Sequence, residues 1–319
     1  IIGPYIIRKL ESMQIGEVIR ADGPERHHYK AGTPTMGGVI ILISMLGSVL
    51  LWGNFGNLNV WLVILVTLGM GAIGFVDDYR QVVLKKEQGL TPAVKILSQV
   101  VVALVASSIL YMSDFDSTIT IPFFKGVAIN IGPFYILFAV FVIVGTSNAV
   151  NLTDGLDGLA IGPMVIAAST YMLLAYITSH IKIAGYLHLM HVASAGELTI
   201  FAGSMAGASM GFLWFNTYPA QVFMGDIGAL SLGGALGTIA LITKHEVLLV
   251  LIGGIFVVEA LSVIFQVSSF KLRGKRVFQR APIHHHYELK GWAEPKIIVR
   301  FWIIAIILSL VAISTLKIR

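Results

Sequence analysis

Cysteine is missing from all 319 residues. Disulfides and thiolate-bound metals are therefore excluded, and a bound metal would have to use oxygen or imidazole ligands. Charge is scarce too. Asp, Glu, Lys and Arg make up 12% of the chain against 56% hydrophobic residues, and the mean hydropathy is +0.84. Soluble domains carry about 25% charged residues, so a surface facing water throughout is excluded. No low-complexity tract, internal repeat or cleavable signal sequence is visible.

What the chain does have is a succession of apolar runs. Windows of about 20 residues give nine candidate spans, near 36–52, 58–76, 93–112, 133–147, 158–178, 197–213, 227–242, 247–266 and 297–316. The fold class expected is all-α, a polytopic helical bundle in a lipid bilayer, forming one domain over 1–319. The eighth span carries Gly253-Gly254 and Glu259, so a bend or break is expected there. Thr118–Pro122 and Val127–Ile131 alternate as a small hairpin would. The chain does not open on Met, and Ile1–Leu10 reads as the tail of a helix, so a preceding tenth span is expected.

Lysine and arginine fix the orientation. Thirteen of them, from Arg20 to Lys296, fall on one side, against Lys125, Lys182, Lys244, Lys317 and Arg319 on the other. The basic side is expected to be cytoplasmic. Its longest segment, 268–295, holds much of the basic charge and is expected to contain a short amphipathic piece lying on the membrane. The net charge of +5 suits anionic headgroups or an anionic substrate rather than nucleic acid.

Three acidic clusters end spans on that same basic side: Asp77-Asp78, Asp154 with Asp157, and Asp226. Apolar helices alone do not account for converging carboxylates, which at an interface handle a cation, a phosphate or a proton. In Gly74-Phe75-Val76-Asp77-Asp78-Tyr79-Arg80, adjacent acids on a helix point about 100° apart, so one can ligate while the other acts as a base or orients a lysine. The bland alternative is an interfacial pair answering Arg80 and Lys85. A DDxxD diphosphate motif is excluded by Gln81.

The segment 148–158 is the densest in amide and carboxylate oxygens, with two glycines that permit a turn. It fits a polar pocket for a ligand such as a nucleotide, and its spacing excludes an EF-hand. Asp226 falls at a helix N-terminus, as a capping residue or as a ligand for Mg2+, which takes one or two carboxylates plus substrate phosphates. His284-His285-His286 cannot all face one ion, because only residues three or four apart share a helical face. Lys95 is either a snorkelling anchor or a phosphate partner near Asp77. Glu259, inside a span, is either functional or a structural glutamate.

Six segments, GTPTMGG (32–38), GFVDDYR (74–80), NAVNLTDGLDGL (148–159), NTYPAQVFMGD (216–226), SFKLRGKR (269–276) and APIHHHYELKGW (281–292), occur in this order. Together they resemble the polyprenyl-phosphate N-acetylhexosamine-1-phosphate transferase superfamily, and the His-triplet segment points to its muramoyl branch. The resemblance implies ten spans in a bacterial plasma membrane, Mg2+ dependence, and a cytoplasmic active site; a homodimer is compatible with it. The reaction implied is transfer of phospho-MurNAc-pentapeptide from UDP-MurNAc-pentapeptide to undecaprenyl phosphate, releasing UMP.

Carried onto this sequence, the resemblance makes Asp77 and Asp78 the catalytic acidic pair, Asp226 the magnesium-associated aspartate and Lys95 a phosphate-handling lysine. Lys30, Thr35, Asn151, Asp154, Asp157, Asn216, Phe223, Gln266 and His286 would line the uridine and diphosphate pocket. In the mechanism this suggests, Mg2+ on Asp226, with Lys95 and His285, clamps the diphosphate. Direct attack by the lipid phosphate is favoured, with a covalent phospho-aspartate route left open. The rivals are a relative using UDP-N-acetylglucosamine and, in another class, a secondary transporter, which would place its acids at mid-span and show internal repeats.

Overall fold

The computed structural model describes residues 2–13, 32–85, 89–113, 115–121 and 128–318. After a short leading helix, α1 (Gly3–Ser12), the bundle runs through α2 (Gly38–Trp52), α3 (Leu58–Asp78), α4 (Pro92–Met112), α5 (Phe134–Thr153) and α6 (Ile161–Ser179). It continues through the short α7 (Ile181–Tyr186), then α8 (Glu197–Asn216), α9 (Gly225–Ile242), the four-residue α10 (Leu249–Ile252), α11 (Gly254–Arg273), α12 (Ile283–Leu289) and α13 (Glu294–Ile318). Among the described residues, eight helices are long and apolar enough to cross a membrane, and α2 is a shorter apolar helix. All nine expected spans thus correspond to helices. At 15 residues, α2 rises only about 22 Å, short of the ~30 Å hydrocarbon core.

α2 starts late because the chain before it is held elsewhere. Phe223 N–H donates to Pro34 O, Gly37 N–H to Phe223 O and Gly38 N–H to Met224 O, each at 2.8 Å. This two-sided ladder sews residues 34–38 to the segment entering α9.

The core is built around α9, in which every residue from Ile227 to Ile242 is buried. Lipid offers helices no hydrophobic reason to associate, so close backbone approach through small residues carries the packing. α9 has such residues on three faces: Gly228 meets Gly38 of α2, Gly234 meets Val66 and Met70 of α3, and Gly233 lies against Thr146 and Ser147 of α5. α4 and α13 instead present Leu97, Val101, Leu104, Ile303, Ile307 and Leu310 outward, as lipid-facing helices do.

The expected break in the eighth span is present: α10 ends at Ile252 and α11 begins at Gly254, with Gly253 between them. α11 then runs beyond the expected boundary at 266 to Arg273, stopping at Gly274, whose φ of 64° is the left-handed helix cap that glycine adopts freely. The short helix expected in 268–295 is α12. It packs on protein: Tyr287 stacks on Trp292 at 4.6 Å and meets Phe301 of α13 edge-on. A second, smaller core beneath it joins Leu156 and Leu159 to Ile255, Ile297 and Phe301. On the opposite side, the expected hairpin is a two-stranded antiparallel pair, β1 (Thr118–Thr120) with β2 (Ala128–Asn130).

Candidate active site

The C-terminal end of α3, the N-terminal end of α9 and the first turns of α4 meet at one point. Asp77, Asp78 and Asp226 each bring a carboxylate oxygen there, all within 4.8 Å of one another. The close approach depends on Gly74, one turn before Asp78. A Cβ at that position would run into the main chain of Asp226 and Ile227.

Each aspartate has distinct partners. Both oxygens of Asp78 accept main-chain N–H groups, from Asp226 and Ile227, each at 3.2 Å. Asp78 therefore caps α9 from a neighbouring helix and places its negative charge at the positive end of that helix. Asp226 lies in the first turn of α9, as expected, but does not cap it. Asp77 accepts the Leu90 N–H at 2.6 Å and the Gln81 side-chain amide at 2.9 Å. Gln81 belongs to a π-helical turn, Tyr79–Val83, that continues α3.

Lys95, in the first turn of α4, points inward. Its Nζ pairs with the Asp226 carboxylate and lies 3.6 Å from Asp77 Oδ2. Asn151 of α5 donates to the other Asp226 oxygen at 2.6 Å. Behind this row Gln99, one turn beyond Lys95 and fully buried, accepts from Asn148, one turn before Asn151, at 2.5 Å. Three carboxylates and one ammonium leave a strongly negative pocket whose donors are all oxygens, suited to a hard divalent cation. No imidazole belongs to the cluster among the described residues.

The α5–α6 and α8–α9 connections are bonded to each other. Asp157 accepts the Ala220 N–H at 2.9 Å, while its own N–H donates to Glu294 at 3.0 Å. Asn216 accepts from Gly158 N–H and donates to Val222 O. Asp157 and Asn216 are buried and hold the two connections together. Asp154 follows the last residue of α5, and Phe223 and buried Thr35 lie on the ladder before α2. Lys30 lies outside the described residues.

A further group of expected residues lies around α12 and the basic segment before it. Gln266 of α11 accepts the Val277 and Phe278 N–H groups and donates to Phe278 O, so its amide pins that segment to α11. His286 Nδ1 accepts the Gln279 N–H at 3.2 Å. His285 Nδ1 lies 2.6 Å from Glu288 Oε2. Burial holds the His285 imidazole below its ordinary value of 6.5, against the opposing pull of Glu288, so His285 is neutral at neutral pH. Among the described residues, no hydrogen bond or ion pair joins His285 or His286 to the aspartate trio. His284, not expected as a site residue, is fully buried against Glu259.

Lys95 with Gln99, one helical turn apart, and the polar segment that opens at Asn148 were readable in the sequence. Gln81 and Glu294 were missed; Gln81 lies one helical turn from Asp77, which was available as a signal.

Known proteins share this chain's features along most of its length. The model of glycosyl transferase family 4 matches residues 60–244, and signature 1 of phospho-N-acetylmuramoyl-pentapeptide-transferase matches residues 30–42. Proteins named phospho-N-acetylmuramoyl-pentapeptide-transferase from Citrifermentans bemidjiense and Geobacter sp. (strain M21) are each 59% identical over 320 residues, covering 100% of this chain and 89% of theirs. One from Syntrophus aciditrophicus is 59% identical over 321 residues with the same coverage.

Proposed function

The chain belongs to the phospho-N-acetylmuramoyl-pentapeptide-transferase family, and from that premise we propose that it moves phospho-MurNAc-pentapeptide from UDP-MurNAc-pentapeptide to undecaprenyl phosphate, giving lipid I and UMP. It is a multi-pass membrane protein. In this reading it lies in the plasma membrane with the aspartate trio on the cytoplasmic, Lys/Arg-rich side, where a soluble nucleotide donor can reach it. The observation that carries the proposal is the junction of Asp77, Asp78 and Asp226 with Lys95 and Asn151.

The reaction brings two anions together. A lipid phosphate oxygen bonds to the sugar-linked phosphorus of the diphosphate, and the bond from that phosphorus to the bridging oxygen breaks, so UMP leaves with the electron pair. The second phosphate pKa is near 6 for a monoester, so the attacking phosphate is largely dianionic and needs little proton removal. Neutralising and aligning charge is therefore the larger task. Mg2+, which the oxygen-only donor set of Asp226 and its neighbours suits, would supply Lewis-acid neutralisation of the diphosphate when bound.

The protein's own groups divide the rest. Lys95 offers its ammonium to the diphosphate from the position where it now answers Asp226 and Asp77. Asp78, with both oxygens on α9 amides, holds Asp226 in place, leaving Asp77 to orient the lipid phosphate or take its residual proton. Asn151 fixes the Asp226 carboxylate. Asp157, Asn216 and Gln266 shape the donor pocket by holding its walls, with Lys30, Thr35, Asp154, Phe223 and His286 toward the nucleotide. His285 contributes as a neutral hydrogen-bonding group.

The test is UMP release by the purified full-length protein with undecaprenyl phosphate and Mg2+, offering UDP-MurNAc-pentapeptide or UDP-N-acetylglucosamine. Release from the muramoyl donor alone is expected. Release from the glucosamine donor alone would assign a different substrate, and release from neither would refute the transferase reading.

A further inference from the structure

Glu259 takes no part in the transfer described above, yet it is fully buried on α11 in an apolar span. Its Oε2 lies 3.1 Å from Nδ1 of His284, which is equally buried on α12. Among the described residues the carboxylate makes no other polar contact. Burying an acid in such a place is costly, and a buried acid–imidazole pair seldom returns that cost as stability. What it can secure is one packing arrangement in place of several.

His284 is placed to transmit such a constraint. Its ring rests on Gly155 so closely that a Cβ there would overlap Nε2. Gly155 stands between Asn151, which holds Asp226, and Asp157, which holds the α8–α9 connection. On its own helix the His284 ring lies 4.2 Å from that of His285, tilted 55° to it. A single imidazole thus joins α11, the α5–α6 connection and α12. The second core adds non-directional apolar packing among Leu156, Ile255 and Phe301.

We propose that Glu259 is a positioning residue: by holding His284 it fixes α12 and the 154–158 loop in one mutual arrangement, so that the donor meets a preformed pocket. The consequence for the donor rests on the transferase reading, whereas the effect on α12 does not.

The absence of native cysteine allows paired spin labels at Lys271→Cys on α11 and Lys290→Cys beyond α12, both exposed positions. Dipolar EPR on the full-length protein then reads the spread of the α11–α12 distance. Glu259→Leu is expected to broaden that distribution and to raise the KM for UDP-MurNAc-pentapeptide about tenfold, with a smaller change in kcat. Glu259→Gln keeps a carbonyl acceptor toward the imidazole, and is expected to retain the narrow distribution and a KM within about threefold of native.

The double variant Glu259→Leu/His284→Leu removes both buried polar groups, so it remains testable where Glu259→Leu alone does not fold. It is expected to show the broad distribution and a KM defect no larger than the single variant's, because the two residues act as one unit. A native-width distribution in the Leu variants, an additive KM defect, or a broad distribution with native KM would overturn the proposal. Failure of the native protein to release UMP would count against the transferase reading instead, and the distance distributions would still decide whether Glu259 positions α12.

Discussion

Replacing Gly74 by alanine tests whether contact between α3 and α9 sets the geometry of the acidic site. Helix propensity alone favours the change, since alanine is about 1 kcal/mol better than glycine inside a helix. Packing opposes it. The added Cβ would lie 2.6 Å from Ile227 N, where ordinary contact begins at 3.4 Å, and closer still to the Asp226 carbonyl. These are main-chain atoms that cannot rotate away, so the two helices must part by about 1 Å, the shortfall at the Asp226 carbonyl, at the residues that bring Asp78 and Asp226 together. Overpacking of this kind costs about 1–3 kcal/mol, enough to cancel the propensity gain. A shift near 1 Å at a reacting centre costs about 100-fold in rate.

Gly47 on α2 has nothing within 4 Å of its would-be Cβ and provides the control. Mg2+-dependent UMP release and thermal unfolding in detergent are measured for both variants. Gly47→Ala is expected to keep native rate and stability, and Gly74→Ala to lose about two orders of magnitude in kcat with a stability change of about 2 kcal/mol or less. A native kcat in Gly74→Ala would refute the reasoning.

Three further outcomes are expected. Lys95→Met leaves three carboxylates facing one another without their ammonium and should lower kcat about 10²–10³-fold; Lys95→Arg should not restore it, since a planar fork does not replace a point charge there, and UMP release reads both. Asn216→Leu strands the buried Gly158 N–H and Val222 O, each at about 1–3 kcal/mol, which thermal unfolding should register as a lowered midpoint. His285 titrates below its ordinary 6.5 in the folded protein, so the unfolded chain binds more protons between the two values. Its contribution to stability is complete above 6.5 and declines as pH falls through the depressed value. Unfolding midpoints measured downward from neutral pH should therefore fall less steeply in His285→Asn than in the native protein.

The spans were legible because an apolar run of about 20 residues has few alternatives to a membrane helix. The meeting of Asp77, Asp78 and Asp226 was legible because the count of spans brings their ends to one side. The break before α11 could be read from Gly253-Gly254, whereas its extension to Arg273 could not, since basic residues continue a helix as readily as they end a membrane span. The site's internal partnerships were less accessible. That Asp78 caps α9 depends on Gly74 admitting the main chain of another helix, a tertiary fact. Asn216, Asp157 and Gln266 could be singled out from their motifs, but not that Asn216 and Gln266 use both side-chain ends on main-chain groups or that the Asp157 carboxylate accepts the Ala220 N–H. Glu259 stayed ambiguous because its partner, His284, is 25 residues away across a turn whose course hydropathy does not encode.

The central claim is that the three aspartates form one divalent-cation site that serves phosphoryl transfer. The most direct measurement is the Mg2+ dependence of lipid I formation, followed alongside Mn2+ binding by EPR, in the native protein and in Asp226→Asn. The account predicts saturable Mg2+ activation and one protein-bound Mn2+ in the native protein, both lost in the variant while its thermal unfolding remains cooperative. Full Mg2+-activated turnover by Asp226→Asn, or native turnover in the presence of a chelator, would contradict it.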